Sequence, residues 1–139
     1  MNGTPARILL VEDSPDDVLF FRRAAAKAGL TGELRVAEDG DAAVSSLSRD
    51  PRPTHVLLDL KLPKRHGLDV LAWIRKQSPS PGTPVIVLTS SNEKGDQEKA
   101  KLLGVDRYLI KPVSFPRLVE TVREIGTAWG LLDPQVSAR

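Results

Sequence analysis

Asp13, Asp59, Thr89 and Lys111 each follow a short apolar run: Ile8-Leu9-Leu10-Val11, Val56-Leu57-Leu58, Val85-Ile86-Val87-Leu88 and Tyr108-Leu109-Ile110. In an open parallel sheet the ligand crevice lies outside the carboxyl ends of the strands, so these two acids, a hydroxyl and an amine would meet there although distant in sequence. Glu12, beside Asp13, adds a third carboxylate. Two carboxylates about 4 Å apart repel by roughly 4 kcal/mol at an effective dielectric near 20, and a third adds to that. A magnesium ion relieves the repulsion by taking one or two carboxylates while keeping positions for water, a carbonyl and a phosphate oxygen. Glu12, Asp13 and Asp59 are therefore the candidate metal ligands. Beside such an ion Asp59 becomes a candidate nucleophile, because a carboxylate can attack phosphorus once the metal has neutralised the approaching oxygens. The product is an aspartyl phosphate. Lys111 would bind a phosphate oxygen as a point charge. Thr89 would donate to the same oxygen, a charge-assisted bond worth about 1.5 to 3 kcal/mol.

Each residue alone has a plainer reading: Asp59 as a turn cap, Lys111 as a solvated lysine, Thr89 as a β-branched strand residue. Their joint occurrence at four strand ends favours a site. Asp16 and Asp17 are assigned to helix capping, since Ser14 with Asp17 reads as a variant capping box and acids suit a helix start.

The elements that must position these residues alternate short apolar runs with amphipathic stretches, the pattern of βαβ units in a parallel sheet covered on both faces. The spacing predicts strands over 6–11, 34–37, 54–59, 84–89 and 106–110. Helices are expected near 15–29, 40–48, 67–77, 94–104 and 115–129. Ser14-Pro15-Asp16-Asp17 opens the first helix with a capping hydroxyl, Pro at the first position and acids in the first turn, and Gly29 closes it. Leu62-Pro63 and Gly67 supply turn chemistry after the third strand, and Pro79, Pro81, Gly82 and Pro84 mark a further loop. Leu118, Val122, Ile125, Trp129 and Leu132 form one stripe on the last helix, its core face. A five-stranded sheet should be covered by about Ile125, so a second reading sends Trp129, Leu131 and Leu132 past the domain edge as a partner surface or dimer arm.

With 139 residues the chain fits a single domain with its own core and leaves no room for a second, output domain. The expected division is an N-terminal tail over 1–5, a domain over 6–128 and a C-terminal extension over 129–139. Twenty basic against eighteen acidic residues leave a net charge of +2, spread along the chain, which gives nucleic-acid binding little support. No apolar stretch approaches the roughly 18 to 20 residues of a membrane span, and Met1-Asn2-Gly3-Thr4-Pro5 lacks a signal peptide's apolar core. The expected location is the cytoplasm, without membrane contact. Zero cysteines and two isolated histidines exclude disulfides, thiol catalysis and an unaided zinc site, leaving a hard, oxygen-liking metal.

Leu9-Leu10-Val11-Glu12-Asp13, Leu57-Leu58-Asp59-Leu60-Lys61-Leu62-Pro63, Val87-Leu88-Thr89-Ser90-Ser91 and Tyr108-Leu109-Ile110-Lys111-Pro112-Val113 together resemble the receiver domain of bacterial two-component response regulators, over about residues 6–126. The resemblance implies a flavodoxin-like α/β fold: a doubly wound, five-stranded parallel sheet in the order 2-1-3-4-5 flanked by five helices. It further implies that the phosphohistidine of a sensor histidine kinase donates its phosphoryl group to Asp59, with Mg²⁺ held by Asp13, Asp59 and the backbone carbonyl of Lys61. Glu12 would act on that ion mainly through water, Thr89 and Lys111 would contact the phosphoryl group, and Ser90 would be the small residue beside it. The Lys111–Pro112 bond is expected to be cis. Switching in receivers couples the Thr89 position to the aromatic at Tyr108 and changes the face made by the fourth helix, fifth strand and fifth helix. The chain departs from the commonest pattern at Lys61, whose long cationic side chain can reach over the phosphorylation site and bears on the lifetime of the aspartyl phosphate.

Thr89-Ser90-Ser91-Asn92 and Ala128-Trp129-Gly130-Leu131-Leu132-Asp133-Pro134 are similar to the branch associated with phytochrome-type kinases. That branch implies a kinase partner of phytochrome type and a homodimer through the same helix 4, strand 5, helix 5 face. A relay to a histidine phosphotransfer protein stays open beside the roles of messenger and phosphate sink. The competing class is a Mg²⁺-dependent aspartyl-nucleophile phosphohydrolase, which wants an acid two residues after the nucleophile. Asp13 and Asp59 are instead followed at that place by Pro15 and Lys61. Nucleotide binding lacks both Gly-x-x-x-x-Gly-Lys and a Gly-rich first turn. An interaction module that is never phosphorylated is disfavoured by the intact Asp13, Asp59, Thr89 and Lys111. The expectation is a signalling switch whose only catalysis is on itself.

Overall fold

The computed structural model of the chain describes residues 5–137. The expected N-terminal tail thus lies, apart from Pro5, outside the described residues, as do the last two residues of the C-terminal extension. Five strands, β1 (Arg7–Val11), β2 (Glu33–Ala37), β3 (His55–Leu58), β4 (Val85–Thr89) and β5 (Arg107–Ile110), alternate with α1 (Pro15–Ala28), α2 (Gly40–Leu47), α3 (Gly67–Lys76), α4 (Lys94–Leu102) and α5 (Phe115–Trp129). A short α6 (Pro134–Ser137), not anticipated from the sequence, follows. All neighbouring strands pair in parallel, in the order β2-β1-β3-β4-β5. This is the expected doubly wound sheet.

The alternation of side chains along each strand divides the core in two. Leu9, Val11, Val56, Leu58, Val85 and Val87 face α2 and α3, packing on Ala43, Leu47, Val70, Leu71 and Ile74. Ile8, Leu10, Leu57, Ile86 and Leu88 face α1 and α5, packing on Phe21, Ala24, Ala28, Val119, Val122 and Ile125. Central strands buried on both sides explain why β3 and β4 read as unbroken apolar runs.

Local chemistry sets the boundaries. The Ser14 hydroxyl accepts from the Asp17 N–H at 3.2 Å, Pro15 stands in the first turn, and Gly29 caps α1 in the left-handed conformation. Ser114 caps α5 in the same way, accepting from the Arg117 N–H. Gly67 starts α3 hard against the end of β3: a Cβ there would collide with the Asp59 carbonyl and Leu60 Cα, so only glycine lets α3 begin so close to the loop after β3. The expected α4 runs two residues too long, because Leu103 already caps it and the chain turns at Gly104, φ 74°.

Trp129, Leu131 and Leu132 do not run past the domain edge. The Thr31 N–H and hydroxyl donate to the Leu131 carbonyl at 2.7 and 2.8 Å, the Asp133 N–H donates to the Gly29 carbonyl, and Leu132 bridges Leu30. Gly126 makes this possible, since a Cβ on it would overlap the Leu132 side chain. The Trp129 indole donates to Asp106 at 2.8 Å and its ring lies 4.7 Å from that of His55. The physical reason is burial: folding back covers the apolar ends of α1 and α5 that the sheet alone leaves open.

Candidate functional site at the strand ends

Val11 pairs with Leu58, Leu58 with Val87, and Thr89 with Ile110, so the residues that leave β1, β3, β4 and β5 emerge on one edge. Asp59 sits just past β3, its N–H still donating to the Val11 carbonyl at 3.1 Å, and its carboxylate is 5% exposed. Each of its oxygens has its own donors. Oδ1 accepts from the Thr89 hydroxyl at 2.7 Å and from the Lys61 N–H at 3.2 Å, whereas Oδ2 takes the Lys111 ammonium at 2.8 Å. Burying a carboxylate is costly unless it is paired and bonded, and here it is both. Glu12 is equally buried, at 4%. Its Oε1 holds the same ammonium at 2.7 Å and its Oε2 accepts from the Ser14 N–H at 3.2 Å.

Oxygens of Glu12, Asp13 and Asp59 come within 4.8 Å of one another, with Asp13 on the exposed side. Burial pushes the Glu12 carboxyl up from its ordinary value, against the pull of Lys111. Burial would lower the Lys111 ammonium, but its bonds to Asp17, Asp59 and Glu12 outweigh that and hold it well above the usual lysine range. In electrostatic terms the lysine is the cation that makes the acid cluster tolerable in this state. An all-oxygen donor set with one open, exposed member fits a hard divalent ion, which would be held by Asp13, Asp59 and Glu12 and would supply charge neutralisation for an incoming anion.

Two expectations need correction. Asp17 is more than a capping residue: Ser14 uses only its N–H, while its carboxylate reaches Lys111 at 2.9 Å. The reciprocal half of the expected capping box, an acid accepting from the Ser14 N–H, is supplied by Glu12 instead, which leaves the Asp17 side chain free. Only the fold could reveal this, since residues 17 and 111 are far apart in sequence. The Lys111–Pro112 bond is not cis; among the described residues the cis bond is Asp50–Pro51. Trans is the intrinsically favoured form, and the Lys111 ammonium reaches all three carboxylates from it.

Ser91 has no distinct signal in the sequence beyond the Thr89-Ser90-Ser91 motif, yet it is a junction. Its N–H donates to the Thr89 hydroxyl oxygen at 3.3 Å, its hydroxyl donates to Asp96 in the first turn of α4 at 2.6 Å, and its carbonyl accepts from the Tyr108 hydroxyl at 2.8 Å. Tyr108 therefore has its hydroxyl bonded within the protein rather than left to water, and burial raises its pKa. Ser90, just after β4, and Lys61, two residues past Asp59, are exposed.

In an open α/β sheet of this kind the ligand crevice lies at the carboxyl edge, where the buried, cation-paired Asp59 stands. The family model of the response regulator receiver domain matches residues 8–123. The chain belongs to the response regulator receiver family and is a receiver of two-component signalling. It is 40% identical to the probable methanogenesis regulatory protein FilR2 of Methanothrix harundinacea over 90% of this chain and 84% of that protein. It is 36% identical to response regulator Rcp1 of Synechocystis over 92% of this chain and 91% of that one. The Mn²⁺-bound form of Rcp1 superposes with a TM-score of 0.81, covering 90% and 94% of the two chains. The phosphorylated cyanobacterial phytochrome response regulator RcpA, 31% identical, superposes with a TM-score of 0.82 over 91% and 94%. Receiver domains bind a divalent metal and generally signal rather than turn over a substrate, and among the described residues no helix is long and apolar enough to cross a membrane.

Proposed function

We propose that this chain is a stand-alone, cytoplasmic response regulator that takes a phosphoryl group from a histidine kinase onto Asp59 and changes its α4, β5, α5 face in response. The observation that carries the proposal is the separate engagement of the two Asp59 oxygens, Oδ1 by Thr89 and Oδ2 by Lys111, beside Glu12 and Asp13. Hydroxyl and ammonium are already where phosphoryl oxygens would need donors. In the transfer an Asp59 oxygen attacks phosphorus, the bond from phosphorus to the kinase imidazole breaks, and the imidazole leaves. Mg²⁺ at Asp13, Asp59 and the Lys61 carbonyl, with Glu12 behind it, would neutralise the phosphoryl oxygens. Thr89 then turns toward the new group, and the Ser91 junction passes that movement to Tyr108 and α4.

Likeness to the cyanobacterial phytochrome response regulator RcpA supports a phytochrome-type sensor kinase as donor, and the proposal extends to a homodimer through the α4, β5, α5 face. In this reading residues 6–128 are the receiver and 129–139 an extension, of which Leu131, Leu132 and Asp133 bond back onto Gly29, Leu30 and Thr31 in the turn after α1. Membership of a signalling family, with Lys61 in the place where a phosphohydrolase wants an acid, favours the switch over the hydrolase alternative. The test is incubation with a small phosphodonor and Mg²⁺. The expected result is a mass gain of one phosphoryl group, located on Asp59 and absent from Asp59→Asn. Labelling elsewhere, or continued turnover of a phosphate ester, would overturn the proposal.

A further inference from the structure

An ammonium group has three N–H donors, and in Lys111 all three are spent on carboxylates from different places: Glu12 at 2.7 Å, Asp59 at 2.8 Å and Asp17 at 2.9 Å. The three acceptors are not equivalent. Glu12 and Asp59 are nearly fully buried and belong to the cation cluster, whereas the Asp17 side chain is 44% exposed and stands outside it. Its role in the pocket is with the lysine alone.

We infer that Asp17 is a positioning residue that holds the Lys111 ammonium on the α1 side of the pocket, and so favours an incoming divalent cation while opposing a phosphoryl group. This rests on the phosphorylation reading above. The two effects have opposite signs for simple reasons. A cation and the ammonium compete for the Glu12 and Asp59 carboxylates, so an acid that draws the ammonium outward, and adds its own negative charge to the field, helps the cation. A phosphoryl group on Asp59 instead needs the ammonium and brings more negative charge, so the same acid competes for its donor and repels it. The cavity between α1 and α5, lined by Glu12, Asp17, Phe20, Lys111 and Leu118, gives the ammonium room to move between these partners. Glu12 makes the arrangement available by taking the capping bond to the Ser14 N–H.

The experiment uses the full chain as wild type, Asp17→Asn, Asp17→Glu and Asp16→Asn. Asp16 is an exposed acid on the same turn that does not pair with Lys111, so it controls for charge at the helix start. Mg²⁺ affinity is measured by calorimetry, and beryllofluoride, a phosphoryl mimic, is titrated by fluorine NMR at saturating Mg²⁺. Asp17→Asn is expected to weaken Mg²⁺ binding on the order of three- to tenfold, the size of a solvent-screened charge effect at this range, and to tighten beryllofluoride. Asp17→Glu should restore both constants, and Asp16→Asn should leave their ratio unchanged. Constants that move together, as general loosening of α1 would produce, overturn the inference alone, as do unchanged constants or the same split in Asp16→Asn. A wild-type protein that binds neither probe removes the phosphorylation reading and the inference with it.

Discussion

Helices α4 and α5 flank the same strand and are fastened by different physics. α5 buries Val119, Val122, Ile125 and Gly126, is capped by Ser114, and is pinned at its far end by Trp129 on Asp106. α4 buries Ala100 alone, has no side-chain cap bond at Glu93, and carries Leu102 at 87% exposure. Its start is held by the Ser91 hydroxyl on Asp96 and, at the surface, by the Gln97 amide donating to the Asn92 carbonyl; Ser91 in turn hangs on the Thr89 hydroxyl that touches Asp59. A buried aliphatic side chain contributes about 1.5–3 kcal/mol and a typical hydrogen bond a net 0.5–1.5. The weakly held helix is thus the one whose attachment leads to Asp59. In the proposed switch, α5 would be the fixed wall against which α4 shifts.

The hardest test of that contrast is truncation. Ile125→Ala should cost about 2–5 kcal/mol in chemical denaturation, whereas Leu102→Ala should stay within about 0.5 kcal/mol. Comparable losses at the two positions would break the comparison. Ser91→Ala sharpens it. Global stability should fall by about 1–2 kcal/mol, the cost of a broken bond that strands a partly buried partner. Hydrogen exchange should accelerate over 94–102 much more than over 115–129, while Asp59 still takes up a phosphoryl group. Equal acceleration of both helices would mean that Ser91 is only a general structural residue.

Much of this was legible in the sequence because it depended on local pattern. The strand-end positions of Asp13, Asp59, Thr89 and Lys111 followed from where apolar runs stop, and the α5 helix from its apolar stripe, whereas its Ser114 cap emerged only with the fold. What stayed hidden depends on long-range geometry. Asp17 satisfies a capping rule by its N–H and a distant lysine by its carboxylate, and sequence shows only the first. Ser91 is an ordinary loop serine until Asp96 and Tyr108 are placed around it. The return of Leu131 and Leu132 onto Leu30 and Thr31 requires knowing that α1 and α5 lie side by side.

The smallest effect concerns the α5 anchor itself. His55 lies half-buried against Trp129, and burial lowers its pKa below the ordinary 6.5 although Asp106 pulls the other way. The imidazole is therefore neutral in the folded protein at values where the unfolded chain would already carry the proton. Between the lowered folded value and about 6.5 the unfolded state binds more protons, so stability rises with pH in that window. The His55 contribution is complete above about pH 6.5 and is lost as pH falls through that value toward the folded one, with a slope of at most one proton. Glu12, raised by burial, works in the opposite direction above its ordinary 4.5, so the informative quantity is the difference between wild type and His55→Gln. That difference, measured by denaturation between about pH 5 and 7.5, should favour wild type progressively less as the solution is acidified. A difference that grows on acidification would mean that a protonated His55, paired with Asp106, is what secures the end of α5.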